Sequence, residues 1–503
     1  MHSAKKETND KFGLKHDDLQ TIISILEQQP CIEEALIFGS RSKGNFKPGS
    51  DVDIALKGRQ LDFKIVSCIS FLLNEETSMP YKFDVLNYHD IKNKDLVEHI
   101  DRVGTRFYKR WKEYKLEEIA KVQTGPFGSQ LHMSDYKLTG TPIITVEHLG
   151  ENKITHNDLP LVSNEDKKRL IKYTLEEGDI VFSRVGSVDR RAYVSKEEDG
   201  WMFSGRCLRV RANKSIVNPK FLSFYFGQES FKETIRRIAV GATMPSINTE
   251  ILSNIEIEIP PYKEQISIAS ILSSFDDKID LLHRQNKTLE QLAETLFRQW
   301  FVEEKKESWQ EKSLFDSIEL IGGGTPKTEV SEYWDGNIKW LSGSDIASSH
   351  KSFVMNTEKS ITEIGLINSS TKLLPKFSTV ITARGTVGKY CLLSEPMTFS
   401  QSNYGIKPKY DSCYFFTYLL VAYSVDELQS AAYGSVFDTI TTNTFKEHKI
   451  LLPKSISIER FEQTVTPYFE KMLGNQTQIK TLTQLRDTLL PKLMSGEVRV
   501  EMN

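Results

Sequence analysis

The chain repeats itself. Lys287 to Leu296 reads KTLEQLAETL, and 193 residues further on Lys480 to Leu489 reads KTLTQLRDTL. The same offset carries Gly241 onto Gly434, Ile247 onto Ile440 and Pro260 onto Pro453. Trp111-Lys-Glu-Tyr-Lys-Leu116 finds a slightly more distant echo in Trp309-Gln-Glu-Lys-Ser-Leu314. One structural unit, running from a Trp to a long helix, has therefore been used twice. Two similar reading heads held apart on paired helices suit a long ligand with two related landmarks, and double-stranded DNA is the ligand this predicts.

Composition bounds the class. A chain of 503 residues, 39% hydrophobic and 26% charged, is globular and long enough for three or four domains with their own cores. Its formal charge of −3 gives no bulk basic signature, so a phosphate-binding face has to be local. Cys31, Cys68, Cys207, Cys391 and Cys413 form no CxxC pair, which argues against both a disulfide framework and a zinc site. No apolar run approaches a membrane span, and the first residues are not followed by the apolar stretch of a signal peptide, so the expected compartment is cytoplasmic, with no membrane partner.

Residues 1–110 lie outside the repeat and read as alternating elements: a helix over Asp17 to Gln28, strands at Ala35 to Phe38 and Val52 to Leu56, a helix over Asp62 to Leu73, a strand at Lys82 to Leu86, and a closing helix from Asp95 to Lys109. Residues 111–262 carry short β-rich runs broken by Gly and Pro, such as Pro142 to Val146 and Asp179 to Phe182. A helix is expected over 263–305, a second β-rich domain over 306–454, and a last helix over 455–503. The fold class is thus α/β (α+β) and multidomain.

The two helices share a spacing. Phe275, Ile279, Leu282, Asn286, Leu289, Ala293, Leu296 and Trp300 recur at alternating intervals of four and three, the a/d seam of a coiled coil. Tyr468, Met472, Asn475, Ile479, Leu482, Arg486, Leu489 and Leu493 repeat it. A helix of about 40 residues spans roughly 60 Å, more than one domain covers, so the two are expected to zip to each other.

Residues 111–503 resemble the specificity subunit of type I restriction-modification enzymes, in which each half joins a target recognition domain to a spacer helix. The resemblance rests first on Gly322-Gly-Gly-Thr-Pro-Lys-Thr followed by Glu332-Tyr-Trp-Asp-Gly-Asn-Ile-Lys-Trp340. Gly178-Asp-Ile-Val-Phe-Ser-Arg184 with Gly186, Arg384-Gly-Thr-Val-Gly388 and Ile259-Pro-Pro-Tyr-Lys-Glu-Gln265 support it. The first half departs from the pattern, offering Thr124-Gly-Pro-Phe-Gly-Ser129 where the second has its GGTP opening. The resemblance implies that each half reads one part of a split DNA site in the major groove, that an antiparallel spacer fixes a gap of roughly one helical turn, and that the chain works with methyltransferase (M) and motor-nuclease (R) subunits in phage defence. S-adenosylmethionine and ATP would then be used only by those partners. The residues agree. Pro260-Pro261-Tyr262 is preceded by Ile259 rather than the Asn or Asp of an adenine-methylation motif, and Gly322 to Lys327 lacks the Gly-Lys-Ser/Thr ending of a phosphate-binding loop. Arg184, Arg190, Arg191, Arg206, Arg209, Arg384, Lys389, Gln401 and Asn403 fall in or near the expected loops and carry the donors that guanine, adenine or phosphate accept; they are the expected DNA-binding residues.

The first module has its own signature: Gly39-Ser40-Arg-Ser-Lys-Gly44, then Ser50-Asp51-Val-Asp53, then Asp84. Alternation along a strand puts Asp51 and Asp53 on one face, and Asp84 on a neighbouring strand completes a three-carboxylate cluster of the hard oxygen type that suits Mg²⁺. Metal there would align a hydroxyl with a nucleoside triphosphate, while amides at the Gly39-Ser40 turn hold the outer phosphates. Over residues 15–110 the pattern resembles the minimal nucleotidyltransferases of the polymerase-β superfamily, some of which adenylylate a toxin partner. Asp51, Asp53 and Asp84 are therefore the expected catalytic and metal residues, and Gly39 and Ser40 the nucleotide-binding ones. Three readings stand: a DNA-specificity subunit with an added nucleotidyltransferase domain, active as a regulator or kept as a docking piece; an antitoxin-like nucleotidyltransferase placed on its partner by DNA-binding domains; and a pure assembly scaffold, which would need both DNA and nucleotide binding to be absent.

Overall fold

The computed structural model describes residues 11–241, 243–433 and 439–500. Gly434, the expected counterpart of Gly241, lies outside them. The chain divides into two compact units, residues 1–274 with 487–503, and residues 275–486.

The first unit opens with a small α/β module. Helix α1 (His16–Glu27) leads into β1 (Glu34–Phe38), β2 (Val52–Lys57), α2 (Phe63–Glu75), β3 (Phe83–Asn87), α3 (Lys94–Val103) and β4 (Thr105–Lys109). The sheet order is β3-β2-β1-β4, with β2 and β3 parallel and β1 antiparallel to both β2 and β4. Asp62 starts α2 by accepting the Ile65 amide at 2.8 Å. Ile22, Leu26, Ile37, Ile54, Ile69 and Leu73, all fully buried, fill the space between helices and sheet. The expected closing helix from Asp95 to Lys109 is corrected by this fold. Gly104 ends α3, where an added Cβ would stand 2.4 Å from the Ile100 carbonyl, and Thr105-Arg-Phe-Tyr-Lys109 becomes the edge strand β4. Its β-branched Thr105 and the aromatic pair Phe107-Tyr108 were strand signals hidden by the helix before them.

No linker follows β4. A strand at Lys112–Lys115 begins at once and pairs with Glu256–Ile259 of the first recognition half. The join is closed by charge: buried Arg110 donates to Glu264 at 2.9 Å and to the Glu27 carbonyl at 3.2 Å. Arg499, from the chain's last segment, donates to the other Glu264 oxygen at 3.0 Å, pairs with Glu33 at 3.4 Å and lies over Trp111. Lys109 pairs with Glu258 at 2.9 Å.

The first recognition half centres on an antiparallel sheet in the order 191–193, 180–183, 207–212, 120–124. In the second unit the strands 390–393, 379–382, 403–408 and 318–322 take the same order, with 353–354 added outside 390–393. The strand after Trp309, Gln310–Ser313, pairs with Lys449–Leu452 as Lys112–Lys115 pairs with Glu256–Ile259. The duplication seen in the sequence is thus a duplication of strand order.

The long helices run over Tyr262–Arg298, followed by a wider turn at Gln299–Glu303, and over Ser455–Met494. Within the second unit they pair antiparallel along the expected seam. Asn475, fully buried, donates to Asn286 at 2.8 Å, Asn286 donates to the Met472 carbonyl at 3.3 Å, and Arg486 meets Asp276 at 2.8 Å. Polar seam partners of this kind hold a register more than they add stability. Below them Phe297, Phe301, Phe416 and Phe461 form an aromatic cluster with centroids 5.0 to 6.3 Å apart.

Candidate active site and nucleic-acid interface

In the N-terminal module, strand register places the carboxylates. Phe38 at the end of β1 pairs with Asp53 on β2, and Asp53 pairs in parallel with Asp84 on β3, so the Asp53 and Asp84 side chains leave the sheet side by side. Asp51 lies two residues before Asp53, on the same face by alternation. Asp51 and Asp84 are exposed, and Asp53 is half-buried. Gly39, at φ +71°, turns the chain out of β1 into a one-turn helix, Gly39–Ser42, and passes so close to Asp53 that a Cβ would stand 2.2 Å from Oδ2. Only glycine fits there. Ser40 lies in that turn, half-buried.

Burial, then the charges of Asp84 and Asp51, push the Asp53 carboxyl above its usual range, against the pull of Arg41 and His99. A carboxyl crowded by two neighbouring carboxylates in this way is matched to a bound divalent cation, which would offset the repulsion. Oxygen donors alone suit Mg²⁺. Sequence reasoning overlooked Arg41 and His99, because neither belongs to the acidic pattern. The aspartates are in register without being drawn tightly together. Among the described residues, the one set of three possible ligand atoms within 4.8 Å of each other is His156, Glu197 and Glu198. There Glu198 accepts the Ser195 amide at 2.8 Å and hydroxyl at 2.6 Å, and His156 lies 2.7 Å away against Trp201. That set closes a turn.

The recognition halves carry their exposed donors on loops beyond the central sheet. Arg184 donates its amide to the Arg206 carbonyl at 2.8 Å and its guanidinium to the Gly205 carbonyl at 3.0 Å, with the exposed Phe127 ring 5.7 Å away. Arg190 and Arg206 are exposed, and Arg190 also reaches the Leu149 carbonyl. Arg191 and Arg209 are placed differently from the sequence expectation. Arg191 is buried, donating to the Ser223 carbonyl at 2.8 Å and to Glu151 at 3.1 Å; Arg209 is buried beside Gln123, Asp179 and the Thr174 carbonyl. Both guanidinium groups hold the fold together. In the second half Arg384 and Gln401 are exposed and Lys389 is half-buried, whereas Asn403 is buried and donates to Ser400 at 2.8 Å.

The two loop sets are built alike. Ile247 donates to the Arg184 carbonyl and Ile440 to the Ala383 carbonyl, both at 3.0 Å. The GGTP opening turns out to be a backbone device. Gly323 presses on the Ser400 carbonyl, where a Cβ would stand 2.1 Å away, and Gly125 presses on the Ser204 carbonyl at the same 2.1 Å. Thr124-Gly-Pro-Phe-Gly-Ser129 is therefore the first half's version of that turn. Trp340 and Trp334, whose rings meet edge to face at 5.3 Å, then pin the second-half loop by donating to the Gly324 and Lys327 carbonyls at 3.0 and 3.1 Å.

Comparison with known proteins agrees with this geometry. Residues 108–291 and 306–487 match the family described as type I restriction modification DNA specificity domain, and residues 20–113 match polymerase beta, nucleotidyltransferase. The chain is 25% identical to the type I restriction enzyme HindI specificity subunit of Haemophilus influenzae, across 77% of this chain and 99% of that protein. It is 26% identical to the MjaIX specificity subunit of Methanocaldococcus jannaschii, across 57% of this chain and 71% of the other. The crystal structure of a type I restriction-modification S subunit from M. genitalium superposes with a TM-score of 0.54 at 16% identity, covering 78% of this chain and 97% of that one. The chain belongs to the type I restriction-modification DNA specificity family and carries a nucleotidyltransferase domain ahead of its two specificity domains.

Proposed function

We propose that this chain selects the DNA target of a type I restriction-modification complex by reading a bipartite site, one part with each recognition half. The observation that carries this is the duplicated sheet with its duplicated loop anchor, which presents exposed Arg190 and Arg206 with half-buried Arg184 in one half, and exposed Arg384 and Gln401 with half-buried Lys389 in the other. Guanidinium and amide donors on rigidly held loops are suited to base edges and phosphates. The proposed domain limits are 1–110, 111–262, 306–454 and the two helical segments between and after. Methyltransferase and motor-nuclease subunits would supply the S-adenosylmethionine and ATP chemistry, in the cytoplasm. The test is binding of the assembled complex to a random duplex pool. One enriched split sequence, with affinity falling steeply with salt, supports the reading, and equal binding to all duplexes rejects it.

For the N-terminal domain we propose metal-dependent nucleotide transfer to a partner, as a regulatory addition. Asp51, Asp53 and Asp84 would hold Mg²⁺, which when bound supplies charge compensation at the triphosphate. Gly39 leaves room at the Asp53 carboxylate, and the Gly39-Ser40 turn offers main-chain amides to the outer phosphates. Mass spectrometry of the complex after incubation with labelled nucleoside triphosphates should reveal an adduct on a partner, absent when Asp51 and Asp53 are both replaced by Asn, with DNA selection intact. An adduct-free wild type that binds no nucleotide leaves the module a docking piece, and the antitoxin-like reading falls with it.

A further inference from the structure

We propose that Arg41 is the positioning residue of the nucleotidyltransferase site, fixing the Ser50-Asp51 peptide so that Asp51 enters β2 in line with Asp53 and Asp84; this rests on the nucleotidyltransferase reading above. Arg41 sits two residues beyond Gly39 and is buried to 4% exposure. Five hydrogen bonds leave its guanidinium, all to main-chain carbonyls. Nε donates to Ser50 and Asp51, each at 3.1 Å, Nη2 to Ser50 at 2.8 Å, and Nη1 to Phe12 and Gly13 at 3.0 and 3.3 Å. The rings of Phe46 and Tyr81 lie 5.3 and 5.0 Å from its centre.

A buried cation normally finds a carboxylate. Here three carboxylates stand close by, and the guanidinium is spent on carbonyls instead. Its fork ties the segment before α1 to the loop before β2, and the loop it grips contains the residue whose side chain is to meet the metal. Lysine would keep the charge, but its three donors radiate from one point and cannot span both segments as the planar fork does. A loss on Arg41→Lys is therefore a loss of position rather than of charge.

The full-length chain can be titrated with Mn²⁺ alone, followed by the paramagnetic signal of the free ion. Three proteins are compared: wild type, Arg41→Lys, and Leu26→Ala, which opens a cavity in the same module's core at the last turn of α1, at the end of the module where β1 starts rather than where it meets the Gly39 turn. Melting of each is recorded alongside. The expected result is Mn²⁺ binding weakened about tenfold or more by Arg41→Lys, the range seen when the support of a metal ligand is removed, with Leu26→Ala keeping wild-type affinity despite its lower melting temperature. Wild-type affinity in Arg41→Lys overturns the proposal, as does equal weakening in Leu26→Ala, which would make the effect one of stability. A wild type that binds no Mn²⁺ overturns the nucleotidyltransferase reading and the role of Arg41 together.

Discussion

The two recognition halves share strand order, first-strand pairing and the carbonyl-pressing glycine, yet they finish the job with different chemistry. In the first half, Gln265 on the long helix accepts the Asn218 amide at 2.8 Å, at the start of helix Pro219–Tyr225. In the second, Glu462 on the other long helix accepts the Phe415 and Phe416 amides at 3.0 and 2.7 Å, at the start of helix Tyr414–Tyr433. A neutral amide and a buried carboxylate thus satisfy the same kind of orphan helix donors. The difference teaches that what is inherited in duplicate is a demand for an acceptor at a place, and the residue meeting it is free to change with its surroundings.

The strongest way to break the comparison is at the glycines. Gly125→Val and Gly323→Val each drive a side chain into a carbonyl, and each should cost its own half more than about 3 kcal/mol, read by hydrogen exchange of the surrounding sheet. If one half tolerates the change, the two turns are not equivalent. Next, Glu462→Ala strands two buried amides and should destabilise the second unit by about 2 kcal/mol. Burial pushes Glu462 up to about 7, so the folded state holds its proton more tightly than the unfolded chain does. Its contribution is complete below the ordinary carboxyl range and is lost as pH rises through about 7. The second unit should therefore melt lower at pH 8 than at pH 5. Glu462→Gln should flatten this slope, whereas the Gln265 contact contributes none.

Smaller still, Arg184→Ala and Arg384→Ala should each weaken target binding by about 1–2 kcal/mol and relax selection in only one part of the site, measured by sequencing the bound DNA. Relaxation of both parts by one substitution would sink the division of labour. The smallest effect belongs to the seam. Replacing Asn286 and Asn475 together by Leu should change stability by about 1 kcal/mol or less while loosening helix register, visible as a second set of cross-links between the helices.

The sequence made the repeat, the seam and the carboxylate register legible because each depends on spacing. Alternation puts Asp51 and Asp53 on one face, with Asp84 expected on a neighbouring strand. What escaped depends on contacts between distant segments. Gly104 looked like one residue of a helix until its close approach to the Ile100 carbonyl made it a stop. Gly125 lacked the GGTP neighbours of Gly323, although both serve the same close approach. Arg191, Arg209 and Asn403 had suitable donors, but only the fold shows those donors facing inward. Arg41 was masked by its neighbours in the Gly-Ser turn, since nothing local to it reveals the carbonyls of Phe12 and Ser50.

The charge knot at the head of the first unit bears on how such a protein can diversify. Its members Glu33, Arg110, Glu264 and Arg499 come from the module, the start of a long helix and the chain's last segment, none of them from the loops that carry Arg184, Arg190 and Arg206. Arg110 and Glu264 are both buried, and removing one partner of such a pair costs about 3–5 kcal/mol, so these two positions resist change together. The loops carry no such constraint. Descendants of this chain could exchange their reading surfaces wholesale and still bear the same N-terminal passenger in the same seat.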